Sequence, residues 1–385
     1  MNATYRIQLN KDFTFSDARK LVPYLARLGI SHLYASPIWR ARAGSMHGYD
    51  VVDPTSFNPE LGTAADFHAL ADAVRAHGME LMVDVVPNHV ATGAENPWWT
   101  DVLLNGPSSY WASAFDIDWD AGNGKVVLPV LGAPYADVLE KGELRLEMDG
   151  GALWAEYYDE RFPVRPARGV SVERANGDPA VLHDILEDQH YRLAWWRTSA
   201  HAINYRRFFD ITHLAGVRVE DPDVFDASHG LVHVLTEERA VAALRIDHID
   251  GLYDPRRYLE RLATFGADIF VEKILEANEA LPAGWPVHGT TGYDFATTVG
   301  DLFVDADGLE KLRAFTATYT GDVRSFAEIV NDGKRLVLHT LFRPELTRLA
   351  QRLHAIAAGD VRARDLDPAA ITETIAEMSV ALPVY

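Results

Sequence analysis

Over the first ninety residues, extended apolar runs alternate with amphipathic helical ones, and this rhythm restricts the fold more than any other feature of the chain. Tyr5 to Leu9 reads as a strand, Ser16 to Leu28 as an amphipathic helix capped by Ser16, and Ile30 to Ala35 as a strand again. A second helix runs from Ala64 to His77 and stops at Gly78, where glycine tolerates the left-handed turn that ends a helix; Glu80 to Val86 follows as an apolar strand. Strands separated by helices of about ten to fifteen residues pair in parallel, because parallel neighbours need a crossover between them. With 385 residues, 48% of them apolar, the chain can bury the core of one large domain with insertions or of two domains.

From Pro97 to about Arg218 the alternation stops. Trp-rich, Gly/Pro-punctuated segments take over, including Gly122-Asn123-Gly124 and a hairpin from Leu144 to Tyr158 around Asp149-Gly150-Gly151. The rhythm then returns: helix from His229 to Ala240, strand from Ala243 to Asp247, helix from Pro255 to Thr264, strand from Asp268 to Glu272, and a short sixth strand near Trp285 to His288. Leu309 to Met378 reads as almost wholly helical. The fold class is therefore α/β, an incomplete (β/α)8 barrel with a subdomain inserted after its third strand and a C-terminal helical segment. The segments are 1–96, 97–218, 219–295 and 296–385. A closed barrel needs eight strands, so the chain reads as truncated before closure, and its last residues, Ala381 to Tyr385, form no helix stop or strand pair.

A formal charge of −20 disfavours nucleic acid and anionic membrane as partners, since binding either would oppose the field of the whole molecule. Cysteine is absent, which removes disulfides and thiolate metal sites, and the N-terminus shows no basic-then-apolar leader; a cytoplasmic setting is expected. No apolar run approaches the roughly 18 to 20 residues needed to cross a bilayer. Metal-ligand spacings, phosphate-cradling glycine loops and nucleophilic serine elbows are also missing, so no metal or cofactor is expected.

In a (β/α)8 barrel the chemistry sits at the C-terminal ends of the strands, so a charged residue closing an apolar strand marks a candidate. Three strands end in this way. The third runs through Asp84 into Pro87-Asn88-His89; the fourth reads Ala243-Leu244-Arg245-Ile246-Asp247-His248; the fifth ends in Glu272. Period-two alternation sends Arg245 and Asp247 to one face, where the guanidinium would favour an ionised, nucleophilic carboxylate. Glu272, ending an apolar strand near another carboxylate, is expected to hold its proton as a general acid does. Neighbouring strands lie about 4.8 Å apart, which can place the two carboxyls near the roughly 5 to 5.5 Å of retaining glycosidases. Spacing alone also admits a purely structural ion pair at either position. Earlier, Tyr49 and Asp50 in His47-Gly48-Tyr49-Asp50 offer an aromatic face and a carboxylate to a sugar, or simply make a turn.

Taken in order, Asp84 to His89, Leu244 to Gly251 and Val271 to Leu275 resemble three hallmark regions of the α-amylase superfamily of glycoside hydrolases. By that resemblance Asp247 is the nucleophile, Glu272 the acid/base and Arg245 the arginine beside the nucleophile. His89 and His248 are sugar-binding, and Tyr49 and Asp50 line the subsite of the glucose under attack. Longer strings, Gln189 to Leu193, Ile203 to Asp210, Val217 to Pro222, Glu272 to Leu275 and Gly289 to Asp294, resemble one branch of the superfamily over essentially the whole chain. That branch implies isomerisation of the reducing-end α-1,4 linkage of a maltooligosaccharide to α,α-1,1, with plain α-1,4-glucan hydrolysis or non-catalytic sugar binding as the alternatives. Its members place a third acid in a downstream His-Asp-Thr-Lys-Arg motif. The only His-Asp pair here, His183-Asp184, lies in the inserted region, so a complementary C-terminal polypeptide is the partner the resemblance implies.

Overall fold

The computed structural model describes residues 1–166, 169–276 and 279–384. Small parts of the expected insertion, the fifth-strand loop and the C-terminal end therefore lie outside the described residues. Two compact units are present, one of residues 1–272 with 283–289 and one of 273–282 with 290 onward.

A sheet whose spatial order follows the chain organises the first unit: β1 (Thr4–Ile7), β2 (His32–Ala35), β3 (Glu80–Val85), β4 (Ala243–Ile246), β5 (Asp268–Val271) and the two-residue β6 (Gly289–Thr290), which begins at the last residue of this unit. The pairs from β1 to β5 are all parallel. Leu81, Val83, Val85, Leu244, Ile246, Ile269 and Val271 alternate onto one face and are almost fully buried, each such side chain contributing about 1.5–3 kcal/mol. Onto the other face project Tyr34, Met82, Ala243 and Phe270 as an apolar layer, with Asp84 and Arg245 paired in register one step nearer the strand ends. The sheet is an open half-barrel whose interior is apolar below and charged above.

Element ends show where local chemistry overrode the reading by pattern. The first helix is Phe15–Arg27 and its cap is Thr14 rather than Ser16, because Thr14 and Asp17 form a reciprocal capping box. The helix before β4 starts at Pro222, not His229: Asp221 accepts from the Asp223 amide, and proline at the first helical position loses no hydrogen bond. No strand forms over Trp285 to His288, where Pro286 lacks a donor. His288 instead uses its backbone amide on Ile269 O and its Nδ1 on Ile269 N, and the strand begins at Gly289.

Between β3 and β4 the insertion builds its own small layers. Strands Leu144–Asp149, Ala152–Tyr157 and Glu160–Val164 form an antiparallel sheet, its first turn made by Gly150 and Gly151, both at positive φ as a two-residue hairpin turn demands. Val126–Leu131 pairs in parallel with Tyr191–Trp195. Strand Ile211–Gly216 returns to pair with His89–Ala91, just beyond β3, and so fastens the insertion to the barrel mouth.

The second unit contains the helices Tyr293–Asp301, Ala306–Thr320, Phe326–His339, Arg343–Ala358 and Pro368–Ala381. The last two pack together, and Arg335 makes a bidentate pair with Glu377. Among the described residues no helix is long and apolar enough to cross a membrane.

Candidate active site

At the mouth of the half-barrel, Arg245 gathers three carboxylates. Its Nη1 donates to Asp84 Oδ1 at 2.7 Å and to Asp247 Oδ1 at 2.6 Å, and its Nη2 lies 2.8 Å from Glu272 Oε1. These contacts put both predicted carboxylates on the interior side of the sheet, within the span of one guanidinium and two hydrogen bonds. The arrangement follows from register: Arg245 sits opposite Asp84 on β3 and Phe270 on β5, with Asp247 and Glu272 two residues further along their chains.

Asp84 is the hub that reading by residue type passed over. Fully buried, its Oδ2 accepts from Tyr34 Oη at 2.7 Å and Tyr49 Oη at 2.6 Å, while Arg6 supports Tyr49 through its hydroxyl at 3.1 Å. Burial pushes the Asp84 carboxyl above its usual range, with Arg245 opposing. Burial alone would make Arg245 easier to deprotonate, but Asp84, Tyr34 and Asp247 outweigh it and hold the guanidinium charged.

Asp247 differs from the expectation of a carboxylate kept ionised by its arginine. Burial, against the pull of Arg245 and with Asp84 and Glu272 adding to the rise, pushes its carboxyl up to about 7. The reason is that Asp247 is buried and shares its one cation with Asp84 and Glu272, so the guanidinium offsets only part of the cost of burying its charge.

His248 takes a left-handed backbone, φ 48°, and its amide donates to Glu272 Oε2 at 3.0 Å. Its ring lies against Phe208 and Phe209, and Phe208 also covers His89 at 4.1 Å between ring centroids. Burial lowers the affinity of both imidazoles for a proton, His89 to about 3. His89 Nε2 is buried with no partner of hydrogen-bond geometry among the described residues, although the Tyr49 backbone is near enough to act on its charge.

Asp50 is the predicted residue that does not join the cluster. Its carboxylate binds Ser45 and its carbonyl accepts from the Arg42 amide, so its bonds serve its own loop. His183 and Asp184 lie on the helix Pro179–Glu187 of the insertion, where His183 meets the Tyr135 hydroxyl. Among the described residues no group of three or more His, Asp or Glu is arranged to hold a metal ion.

Residues 18–272, which carry β2 to β5 and this cluster, match the family model described as alpha amylase, catalytic domain. The chain belongs to the α-amylase family. Within it, a putative maltooligosyl trehalose synthase of Mycobacterium tuberculosis is 43% identical over 381 residues, which is 96% of this chain and 47% of that protein. Among solved structures, maltooligosyltrehalose synthase from Arthrobacter ramosus superposes with a TM-score of 0.88 at 40% identity, covering 100% of this chain and 48% of the other. A hypothetical maltooligosyl trehalose synthase from Sulfolobus tokodaii gives 0.81 at 32% identity, again covering 100% and 48%. This α-amylase family chain thus spans about half the length of the relatives it matches.

Proposed function

We propose that this site breaks and re-forms α-glucosidic bonds with retention, and that the whole protein isomerises the reducing-end α-1,4 linkage of maltooligosaccharides to α,α-1,1. The observation that carries the reading is the single Arg245 guanidinium holding Asp247 and Glu272 together at the ends of adjacent parallel strands. Glu272 gives its proton to the glycosidic oxygen as that oxygen leaves C1, and an Asp247 oxygen bonds to C1. In the second step the anomeric hydroxyl of the freed glucose attacks C1, the C1–Asp247 bond breaks, and Glu272 takes back the proton. A glucose kept in place reacts at a very high effective concentration, and excluding water suppresses hydrolysis.

The buried His89 Nε2 and the Tyr49 ring are the groups we assign to the sugar under attack. Because Asp247 is pushed up to about 7, attack requires the ionised fraction, which a sugar oxocarbenium developing beside it would favour. A third acid would come from a complementary polypeptide corresponding to the remaining length of the relatives. With no cysteine in the chain, the cytoplasm is the compartment we assign.

Incubation with 5-fluoro-α-glucosyl fluoride, which forms a long-lived glycosyl ester, should place its label on Asp247 by peptide mass spectrometry, and Asp247→Asn should carry none. Label on another residue overturns the assignment. So does turnover of maltopentaose by Asp247→Asn or Glu272→Gln that is not reduced by orders of magnitude. Non-reducing product from maltopentaose supports isomerisation, rising reducing ends support hydrolysis, and calorimetric binding without chemistry supports a sugar-binding role alone.

A further inference from the structure

Arg206, on the insertion, ties together three stretches of chain at the barrel mouth. Its Nη1 donates to Asn88 Oδ1 at 2.9 Å and to the Gly251 carbonyl at 3.3 Å, its Nη2 to the Val217 carbonyl at 2.7 Å, and the Asp116 carboxylate lies 3.8 Å from its Nε. Two glycines make room for this fork. A Cβ on Gly216 would stand 2.6 Å from Arg206 Cζ, and one on Gly251 would stand 2.3 Å from His248 Cδ2 and 2.6 Å from Asn88 Oδ1. The guanidinium therefore links the segment after β3 (Asn88), the turn after β4 (Gly251) and the end of the insertion (Val217).

The turn it holds is the one that presents an amide to Glu272. His248 is in the left-handed region, which a residue with a Cβ adopts reluctantly, and the Gly251 amide closes the turn on the His248 carbonyl at 3.0 Å. With that backbone the His248 N–H donates to Glu272 Oε2, while Arg245 engages Oε1. Two donors on the two oxygens fix the plane of the carboxyl. The His248 amide is one of the donors that set its orientation.

We propose that Arg206 is a positioning residue for Glu272: by clamping the far end of the Ile249–Gly251 turn to Asn88 and Val217, it keeps the His248 amide on the carboxyl. The inference rests on the reading of Glu272 as acid/base only for its catalytic consequence; the clamp itself is a matter of geometry. The catalytic consequence is selective. Protonation of a sugar leaving group depends on the orientation of Glu272, whereas departure of fluoride needs no such proton.

Hydrogen exchange of the His248 amide, read by NMR in histidine-labelled protein, tests the clamp directly. Arg206→Lys, which keeps the charge and loses the fork, is expected to speed that exchange by about tenfold or more, and Arg206→Ala further still. Unchanged exchange at His248 in a folded Arg206→Lys protein overturns the proposal, and that variant serves even where Arg206→Ala fails to fold. On substrates, Arg206→Lys should lose at least about tenfold in kcat on maltopentaose while retaining most of its first-turnover rate of fluoride release from α-maltosyl fluoride, the one step that needs no proton from Glu272. Equal loss in maltopentaose turnover and in first-turnover fluoride release by a folded variant shows a general structural role and also overturns it. A Glu272→Gln variant with full maltopentaose turnover would defeat the acid/base reading instead, and the exchange result would still decide the clamp.

Discussion

The two units break the usual inside-outside rule in opposite senses. In the first, Asp84, Arg245 and Asp247 are 0%, 6% and 6% exposed, charges where a core would be apolar. In the second, Phe303, Tyr319 and Val323 are 85%, 82% and 85% exposed, and the helices Tyr293–Asp301, Ala306–Thr320 and Phe326–His339 hold no buried residue. The buried charges are reconciled with their surroundings by one another, through hydrogen bonds of 2.6 to 2.8 Å around a single guanidinium. The exposed side chains join no comparable network among the described residues, although Tyr319 stacks on Phe315 with 6.0 Å between ring centroids. Their helices stand on local signals, such as the capping box of Ser325 with Glu328, which make a helix without dictating what its apolar side meets.

Substitutions can sharpen or break that contrast. The largest effect is expected from Arg245→Leu, which strands the buried carboxyl groups of Asp84 and Asp247 without their cation and should cost about 3–5 kcal/mol in urea unfolding at neutral pH. A cost below about 1 kcal/mol would mean that the charges are not desolvated and would erase the contrast.

Asp247→Asn comes next, and its signature is a slope with pH. The folded carboxyl titrates at about 7, well above the roughly 3.9 of an unfolded aspartate. Between those values the folded state keeps a proton that the unfolded state has released, so stability falls as pH rises from about 4 to about 7 and then levels. Asn cannot titrate. The variant should therefore lose that slope, and above pH 7 it should exceed the parent by the order of one to a few kcal/mol in urea midpoints taken across the range. A parent profile that rises over this interval would contradict the direction given for Asp247.

Smallest is the effect of polar substitution on the second unit. Phe303→Ser combined with Val323→Ser should change unfolding free energy by no more than about 0.5 kcal/mol while reducing binding of an apolar-surface dye. A loss above about 1 kcal/mol would show that these two side chains are packed after all.

What the sequence disclosed, and what it hid, follows the same line. Arg245 and Asp247 stood out because a charge two residues from another in an apolar strand must share its face. Asp84 obeys the same alternation, but its partners Tyr34 and Tyr49 come from different stretches of chain, so nothing near it in sequence announces a hub. Phe208 and Phe209 were visible only as part of a string resembling a branch of the family, and Arg206 only as part of an insertion expected to wall the site; their place depends on the pairing of Ile211–Gly216 with His89–Ala91, which local pattern does not encode. Asp50 shows the converse limit, since a Tyr-Asp pair looks the same in sequence whether the carboxylate faces a sugar or, as in this structure, meets its own Ser45. Helix starts were mislaid where a cap lay one or two residues before the first obvious apolar position, as at Thr14, or where Asp221-Pro222 was passed over for the apolar run that follows.

The return of Ile211–Gly216 onto His89–Ala91 has a kinetic corollary. Gly216 cannot meet His89 until the whole intervening insertion has been made and gathered in, a loop closure whose entropy is lost before any contact repays it. β1 to β3 can assemble from neighbouring sequence early, whereas the rim that seats Arg206 against Asn88 belongs among the late events of folding. A newly made chain would thus acquire its scaffold first and its chemistry last.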